Sequence, residues 1–463
     1  MKSQVLSACS IAFALSLGLG ACSSAPVGRV ATLARIPDEL GIHLDMDKHV
    51  LSNGLTVILV EDRSTPVVSY QTWFKVGSVD EHVGTTGMAH LFEHLMFKGT
   101  RKYGPKQFFE KLEARGAEVN AYTTRDYTVY HESFTPQLID QVVDMESDRM
   151  TGLVLDADTV NTERQVVLEE RRMRTDNSPG GKMQEALWSL AYRVHPYQWP
   201  VIGYSEDVIK VPLETVRKFY GDFYQPSNAT LVVVGNFDKK VVFGKIQAAY
   251  STIKGALRPK RVIPKEPEQT GERRIVLYDN VASGRLSLAY HVTDADNDDT
   301  YALDVLANIL FAGTSGRGYR SLVDGSELVT SVGGSAFTPT FPGLFIITST
   351  PRAAISSGEV EKGIESLIQE VQKSGVTREE VQVAVRQLTV QMVDSVRTPH
   401  GLAQLIGTVT TVLGDPNRFS EDLAKYTKVT VGDVQRVARK YLVPDNRSVV
   451  TLLPKPQAEK VSP

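Results

Sequence analysis

Two hydrophobic periods alternate along the chain. In NGLTVILVEDRSTPVVSYQTWFKVG, residues 53–77, apolar positions recur with period two, which predicts strands, and Asn53-Gly54 predicts a turn that opens a hairpin. Further on, Met88, Leu91, Leu95 and Met96 recur at helical spacing, which predicts a core-facing helix over Thr86–Phe97. The run ADTVNTERQVVLEERRMRTDN, residues 157–177, also reads as a helix, with Asp158 or Thr159 as its cap. The segments RRIVLYDN and RLSLAYHV read as strands that open a second such succession.

The second succession echoes the first. VPLETVRKFYGDFYQPSNATLVVVG (211–235) and VTVGDVQRVARKYLVPDNRSVVTLL (429–453) each read as a helix, a Pro/Asn turn and a β-branched strand. Val211 pairs with Val429, Val216 with Val434, Phe223 with Tyr441, Pro226 with Pro444 and Asn228 with Asn446, always at the same offset. A constant offset of nearly half the chain favours an internal duplication. The fold class expected is α+β, with two homologous domains, each a mostly antiparallel sheet packed against helices. The boundaries expected are 41–255 for the first domain, a linker at 256–272 rich in Lys, Pro and Glu, and 273–458 for the second.

The total of 463 residues suits more than one core. Charged residues make up 23% with a net charge of −3, so no basic excess points to nucleic acid. The N-terminus has a different character. MKSQVLSACSIAFALSLGLGAC reads as an export signal over residues 1–21, too short and interrupted for a membrane span. Leu19-Gly20-Ala21-Cys22 resembles a bacterial lipobox, which implies lipid attachment at Cys22 and a polar tether over 22–40; a plain signal ending near Ala21 is the alternative. Ser23 after the cysteine leans the resemblance towards the outer membrane, facing the periplasm. The only other cysteine, Cys9, lies in the signal, so the mature chain has no disulfide and no cysteine ligand.

The candidate chemistry sits in GTTGMAHLFEHLMFKGT, residues 84–100. His90 and His94 are i and i+4 on one helix face and can share one ion, and Glu93 stands beside them. Neutral imidazoles suit zinc, and a catalytic zinc needs a third protein ligand and an open position. Glu163 and Glu170 face alike two turns apart, whereas Glu169 points away and can pair with Arg172. Side-chain chemistry alone leaves the choice among these acids open.

HLFEH is the inverted zinc-peptidase signature, and its surroundings resemble the insulinase/pitrilysin family, most closely its half-size bacterial and mitochondrial-processing-peptidase-like members. That resemblance implies two homologous α+β domains forming one half of a clamshell. It implies one zinc per chain, held by His90, His94 and Glu170, the last placed at the family's distance beyond the second histidine, in TERQVVLEERR. It implies Glu93 as the base that activates water and Glu163 as a supporting acid behind the ligands. In EVNAYTTRDYTVYH it implies an edge strand, with Asn120, Ala121 and Tyr122 beside a bound peptide, where an ordinary sheet edge is the plainer reading. HPYQWPVIG (195–203) is also similar to the family, without an assigned role.

The second half has no histidine between His291 and His400, so it cannot repeat the cluster; the HLFEH positions map near Asn308–Ala312. Its GTSGRGYRSLVDGSELVTSVGG departs from the family pattern at Thr330-Ser331, where a tyrosine is common, leaving Arg317, Tyr319 and Arg320 as candidates against a solvated loop. The expected function is a zinc endopeptidase or oligopeptidase acting on peptides or unfolded segments in an enclosed chamber. A half-clamshell implies a partner, either a second copy or a related, metal-free subunit. The competing readings are a non-catalytic assembly or chaperone-like subunit of an envelope complex, and a metal-dependent hydrolase of non-peptide substrates.

Overall fold

The computed structural model describes residues 31–32, 45–257 and 260–456; the export signal and Cys22 lie outside the described residues. The first sheet has strands β1 (Ala31–Thr32), β2 (Met46–Val50), β3 (Thr56–Glu61), β4 (Val68–Phe74), β5 (Glu118–Thr123), β6 (Thr128–Phe134) and β7 (Ala229–Gly235). The second has β8 (Arg273–Asp279), β9 (Arg285–His291), β10 (Val329–Phe337), β11 (Leu344–Pro351) and β12 (Arg447–Pro454). Their orders are β1-β2-β3-β7-β4-β6-β5 and β10-β11-β9-β12-β8. Read from β3 and from β8, both halves follow the same path, with β5 and β10 at equivalent free edges. The fold is α+β, two sheet-and-helix halves.

The Asn53-Gly54 turn joins β2 to β3 as an antiparallel pair, with Gly54 at φ 91°. β3 and β4 are not hairpin partners, because β7 lies between them, parallel to β3 and antiparallel to β4. The same holds for β8 and β9, with β12 between them. The strand that closes each half comes from the duplicated segment, and one side chain explains its repeat. Asn228 Nδ2 donates to the Phe223 carbonyl at the end of helix Leu213–Phe223, at 2.8 Å, and to Lys75 just past β4. Asn446 Nδ2 does the same to Tyr441, at 2.8 Å, and to His291 at the end of β9. Each asparagine thus ties a finished helix to the strand that its own strand must join.

The central strands carry little alternation: every residue of β4 is buried. Period two is lost because each sheet is covered on both faces, and the second cover comes from the other half. Helix Pro399–Leu413 lies across β4 and β7, where Leu402, Ile406 and Val409 share a core with Trp73, Val232 and Val234. Helix Pro179–Ala191 lies across β12, β8 and β9, where Leu187 and Trp188 meet Val450 and Leu452. The two exchanged helices start alike, with Pro at the first turn and a Ser178 or Thr398 hydroxyl accepting from Gly181 or Gly401. The intervening chain is tied down too, as Arg261 Nε donates to Asp80 at 2.6 Å and Glu266 accepts from the backbone of Arg193, Val194 and His195.

Exchange brings the Pro399–Leu413 helix very close to β4. A Cβ on Gly407 would run into the Trp73 indole, whereas one on Gly244, in helix Lys239–Tyr250, would meet nothing within 4 Å. Gly407→Ala is therefore expected to lose about 1–3 kcal/mol or more through overpacking, and Gly244→Ala to gain up to about 1 kcal/mol from helix propensity. Urea unfolding of the two variants checks both signs.

Candidate metal centre

The HLFEH helix spans Met88–Leu95, shorter than the pattern suggested, because Gly87 takes a left-handed conformation, φ 87°, and starts it late. Its first turn is held from outside. Glu81, buried, accepts from Gly87 N and Ala89 N through separate oxygens, each at 2.8 Å. Burial pushes this carboxyl well above the usual range, and the two backbone bonds oppose that. Asp207 Oδ2 accepts from Gly84 N, Thr86 N and the Thr86 hydroxyl. A Cβ on Gly203 would strike the Thr86 carbonyl oxygen, so HPYQWPVIG ends with backbone laid directly on the helix start. At the other end, Tyr130 Oη donates to Phe92 O at 2.9 Å.

The second helix spans Ala157–Arg171 and is capped by Asp156, which accepts from Thr159 N at 2.7 Å, not by Asp158 or Thr159. Asp156 is the residue with extended backbone just before the first turn, and its carboxylate reaches the third N–H. The helix runs on into a π-helical turn, Arg172–Asp176. Arg171, buried, donates to Glu185 on the exchanged helix and to Gly203 O at 2.8 Å. Glu169 pairs with Arg172 in solvent, as its phase implied.

These two helices bring five of the expected residues together. One donor atom each from His90, Glu93 and His94 lies within 4.8 Å of the others. Glu170 Oε2 lies 3.8 Å from His90 Nε2 and 3.1 Å from His94 Nε2, while Arg174 Nη1 holds its other oxygen at 2.8 Å. Ligands about 2.0–2.1 Å from a tetrahedral zinc stand roughly 3.3 Å apart, and the two Glu170 distances bracket that value. His94 Nδ1 donates to Glu163 Oε1 at 2.9 Å, leaving Nε2 to face Glu170. Lys98 Nζ lies 2.7 Å from the other Glu163 oxygen.

Electrostatics divides the histidines. Burial holds His90 below the usual imidazole range, in the neutral form that a metal requires. Burial also opposes charge on His94, but hydrogen bonds to Glu163 and Glu170 outweigh it and raise its pKa to about 9. Glu163 and Glu170 both lie below the usual carboxylate range: burial pushes each up, and the histidine bonds, with Lys98 for Glu163 and Arg174 for Glu170, more than compensate. The donor set thus stabilises concentrated positive charge, which fits a single Zn²⁺ at His90, His94 and a glutamate.

Asn120, Ala121 and Tyr122 lie on β5, the free edge beside the HLFEH helix. Ala121 N donates to Asn120 Oδ1 at 2.9 Å, so that N–H points away from β6 and out of the sheet edge. Tyr122 turns its ring inward to Trp73 and Tyr127, and its hydroxyl accepts from Gln404 of the exchanged helix. Arg317 lies elsewhere, bound bidentately by Glu380 and reaching Glu370. Tyr319 begins a π-helical segment, Tyr319–Gly325, in place of a solvated loop, and Arg320 is its exposed second residue. Glu81, Lys98, Asp207 and Arg171 are participants that spacing did not reveal. All act through backbone groups or through partners distant in sequence; Glu81 and Lys98 flank the motif and Arg171 follows Glu170, so adjacency was the one signal that could have drawn notice to them.

Residues 56–204 match the family described as Insulinase (Peptidase family M16), and residues 210–388 match its peptidase M16 inactive domain. The chain is 30% identical to the zinc protease PqqE of Helicobacter pylori over 410 residues, covering 87% of this chain and 92% of that one. The chain belongs to the M16 family. An uncharacterized zinc protease of Streptomyces coelicolor is 28% identical over 430 residues, 90% of this chain and 91% of its own. Among solved structures, a protease from Helicobacter pylori superposes with a TM-score of 0.84 at 29% identity, over 89% of this chain and all of that one. The periplasmic protease PqqL from Escherichia coli shares the fold at 18% identity, TM-score 0.72, over 91% of this chain but 48% of its own. Family and donor set together make this M16 member a zinc metalloendopeptidase.

Replacing Glu81 by alanine leaves two N–H groups of the HLFEH helix buried and unpaired, at about 1–3 kcal/mol for each such group. Glu81→Ala is expected to lower both unfolding stability and zinc affinity with all donor residues intact. Urea unfolding and competition against a chelating dye measure the two effects.

Proposed function

We propose that the chain is one half of an enclosed zinc oligopeptidase that cuts extended peptides and unfolded segments laid along β5. The observation that carries this reading is the convergence of Glu170 Oε2 on both imidazoles, at 3.8 and 3.1 Å, with Glu93 beside them and a free strand edge alongside. His90, His94 and Glu170 hold the metal. Zinc, when bound, supplies a Lewis acid that brings the pKa of water towards neutrality and polarises a carbonyl. Glu93 takes the proton of the attacking water and returns it to the leaving amine. Glu163 fixes the orientation of His94 through Nδ1, and Lys98 fixes Glu163. The edge groups of β5 pair with substrate backbone, which is the same in every peptide, so binding reads extension more than sequence.

The 48% span of the Escherichia coli protease supports reading the chain as a half that closes on a second copy or on a related, metal-free subunit. The Cys22 lipobox, with that relative's description as periplasmic, supports a lipid-anchored protein on the outer membrane facing the periplasm. A non-catalytic assembly role is disfavoured because such a subunit has no physical need for a complete donor set.

Zinc content and cleavage of a mixed pool of unfolded peptides, measured on the mature protein and on Glu93→Gln, test the reading. Zinc in both, with turnover falling about 10²–10⁴-fold in the variant, is expected; absence of zinc from the wild type overturns it. Glu163→Gln is expected to weaken zinc binding about 10–100-fold in dye competition while leaving the fold's melting temperature within a few degrees.

A further inference from the structure

Beside the metal centre lies a cavity of about 280 Å³, lined among others by His90, Glu93, Thr123, Arg125, Gln184 and Trp188. Its walls carry several charged groups, and nearly all are committed. Arg174 holds Glu170, and Glu185 is held bidentately by Arg171. Glu93 faces the two histidines. Arg125 differs. Its guanidinium carbon stands 3.5 Å over the Trp188 ring, and only Nε has a protein acceptor, Tyr197 O at a long 3.4 Å.

Among the described residues, no carboxylate or carbonyl accepts from Arg125 Nη1 or Nη2. The neighbouring carboxylate is spent elsewhere: Asp126 Oδ1 accepts from Tyr197 Oη at 2.6 Å, and Oδ2 from Thr340 N at 2.9 Å. Burial pulls the Arg125 pKa down to about 10, which still leaves the group charged at neutral pH. A stacked, orientationally fixed guanidinium with two free N–H edges is the arrangement that receives a carboxylate bidentately. Its place in the β5–β6 turn, two residues past the end of β5, puts it in line with a peptide running along the β5 edge.

We propose that Arg125 is a specificity-determining residue that receives a substrate carboxylate in this cavity. The carboxylate is either an acidic side chain near the cut bond or the free C-terminus of a short peptide. The inference rests on the peptidase reading for its substrate class but can be tested without turnover.

Peptides carrying Glu or Gln at each position around the cut bond, each with a free or an amidated C-terminus, are assayed with the zinc-loaded mature protein. One carboxylate position is expected to raise kcat/KM about tenfold over its neutral counterpart. Loss on Glu-to-Gln exchange marks a side chain as the source, and loss on amidation marks the C-terminus. Arg125→Met is expected to remove this preference while still cutting the neutral peptide, and Arg125→Lys to keep part of it. Binding of the same pairs to Glu93→Gln, read by fluorescence anisotropy, gives the preference even if no peptide is turned over. Equal handling of charged and neutral peptides by the wild type, in cleavage and in binding, overturns the proposal. So does an equal fall for both in Arg125→Met, which would mark Arg125 as purely structural.

Discussion

Two helices have to deliver donor atoms to within 3.8 and 3.1 Å of one another, although one ends at Leu95 and the other starts only at Ala157. A shift of one helix by a fraction of a turn would separate Glu170 from the imidazoles. What prevents it is a continuous backbone lock. Gly203 packs on the Thr86-Gly87 backbone at the start of the HLFEH helix, and its carbonyl accepts from Arg171, the residue after Glu170. Gly203 sits at φ 77° and Gly87 at φ 87°, and a Cβ at either would strike backbone, so the contact exists only between glycines. Glu81 then supplies partners for the orphan N–H groups that this tight start leaves behind.

Around that lock, the duplication does more than repeat a domain. Each half lends a helix to the other, so the back of the catalytic sheet is closed by Pro399–Leu413 and the face of the second sheet by Pro179–Ala191. The second half therefore supports the site without copying it. Where the first half has its histidines, the second has Asp299–Phe311, a helix filled with Leu303, Leu306 and Leu310 in the core. The lent helix Pro179–Ala191 also carries Glu185, which anchors Arg171, and Gln184 and Trp188, which form a wall of the cavity by the metal centre. The join between halves and the edge of the active site are thus the same helix.

Much of this could be read from residues. The HLFEH spacing puts two imidazoles on one face, and a structure with His90, His94 and Glu93 clustered follows from helical geometry alone. The constant-offset echo pointed to two halves of like topology, and the shared Asn228 and Asn446 bonds show why those positions repeat. The strand neighbours were less legible. β3 and β4 look like a hairpin because they are adjacent in sequence, yet β7, which begins only at Ala229, arrives from far along the chain to separate them.

Local pattern fixes what neighbours within a few residues dictate: helix phase, the Asn53-Gly54 turn, the pairing of His90 with His94, and the outward phase of Glu169. It also fixes the charge type of the site, since histidines and glutamates at those positions suit one kind of ion. Tertiary structure decided the rest. Only the packing of the Ala157–Arg171 helix against the HLFEH helix turned Glu170 towards the imidazoles and Glu163 behind His94. Only the exchange of helices buried both faces of β4, and only the loop stacking on Trp188 left Arg125 charged and unmatched beside the cavity. Such contacts join residues far apart in sequence, and periodicity, which is local, carries no record of them.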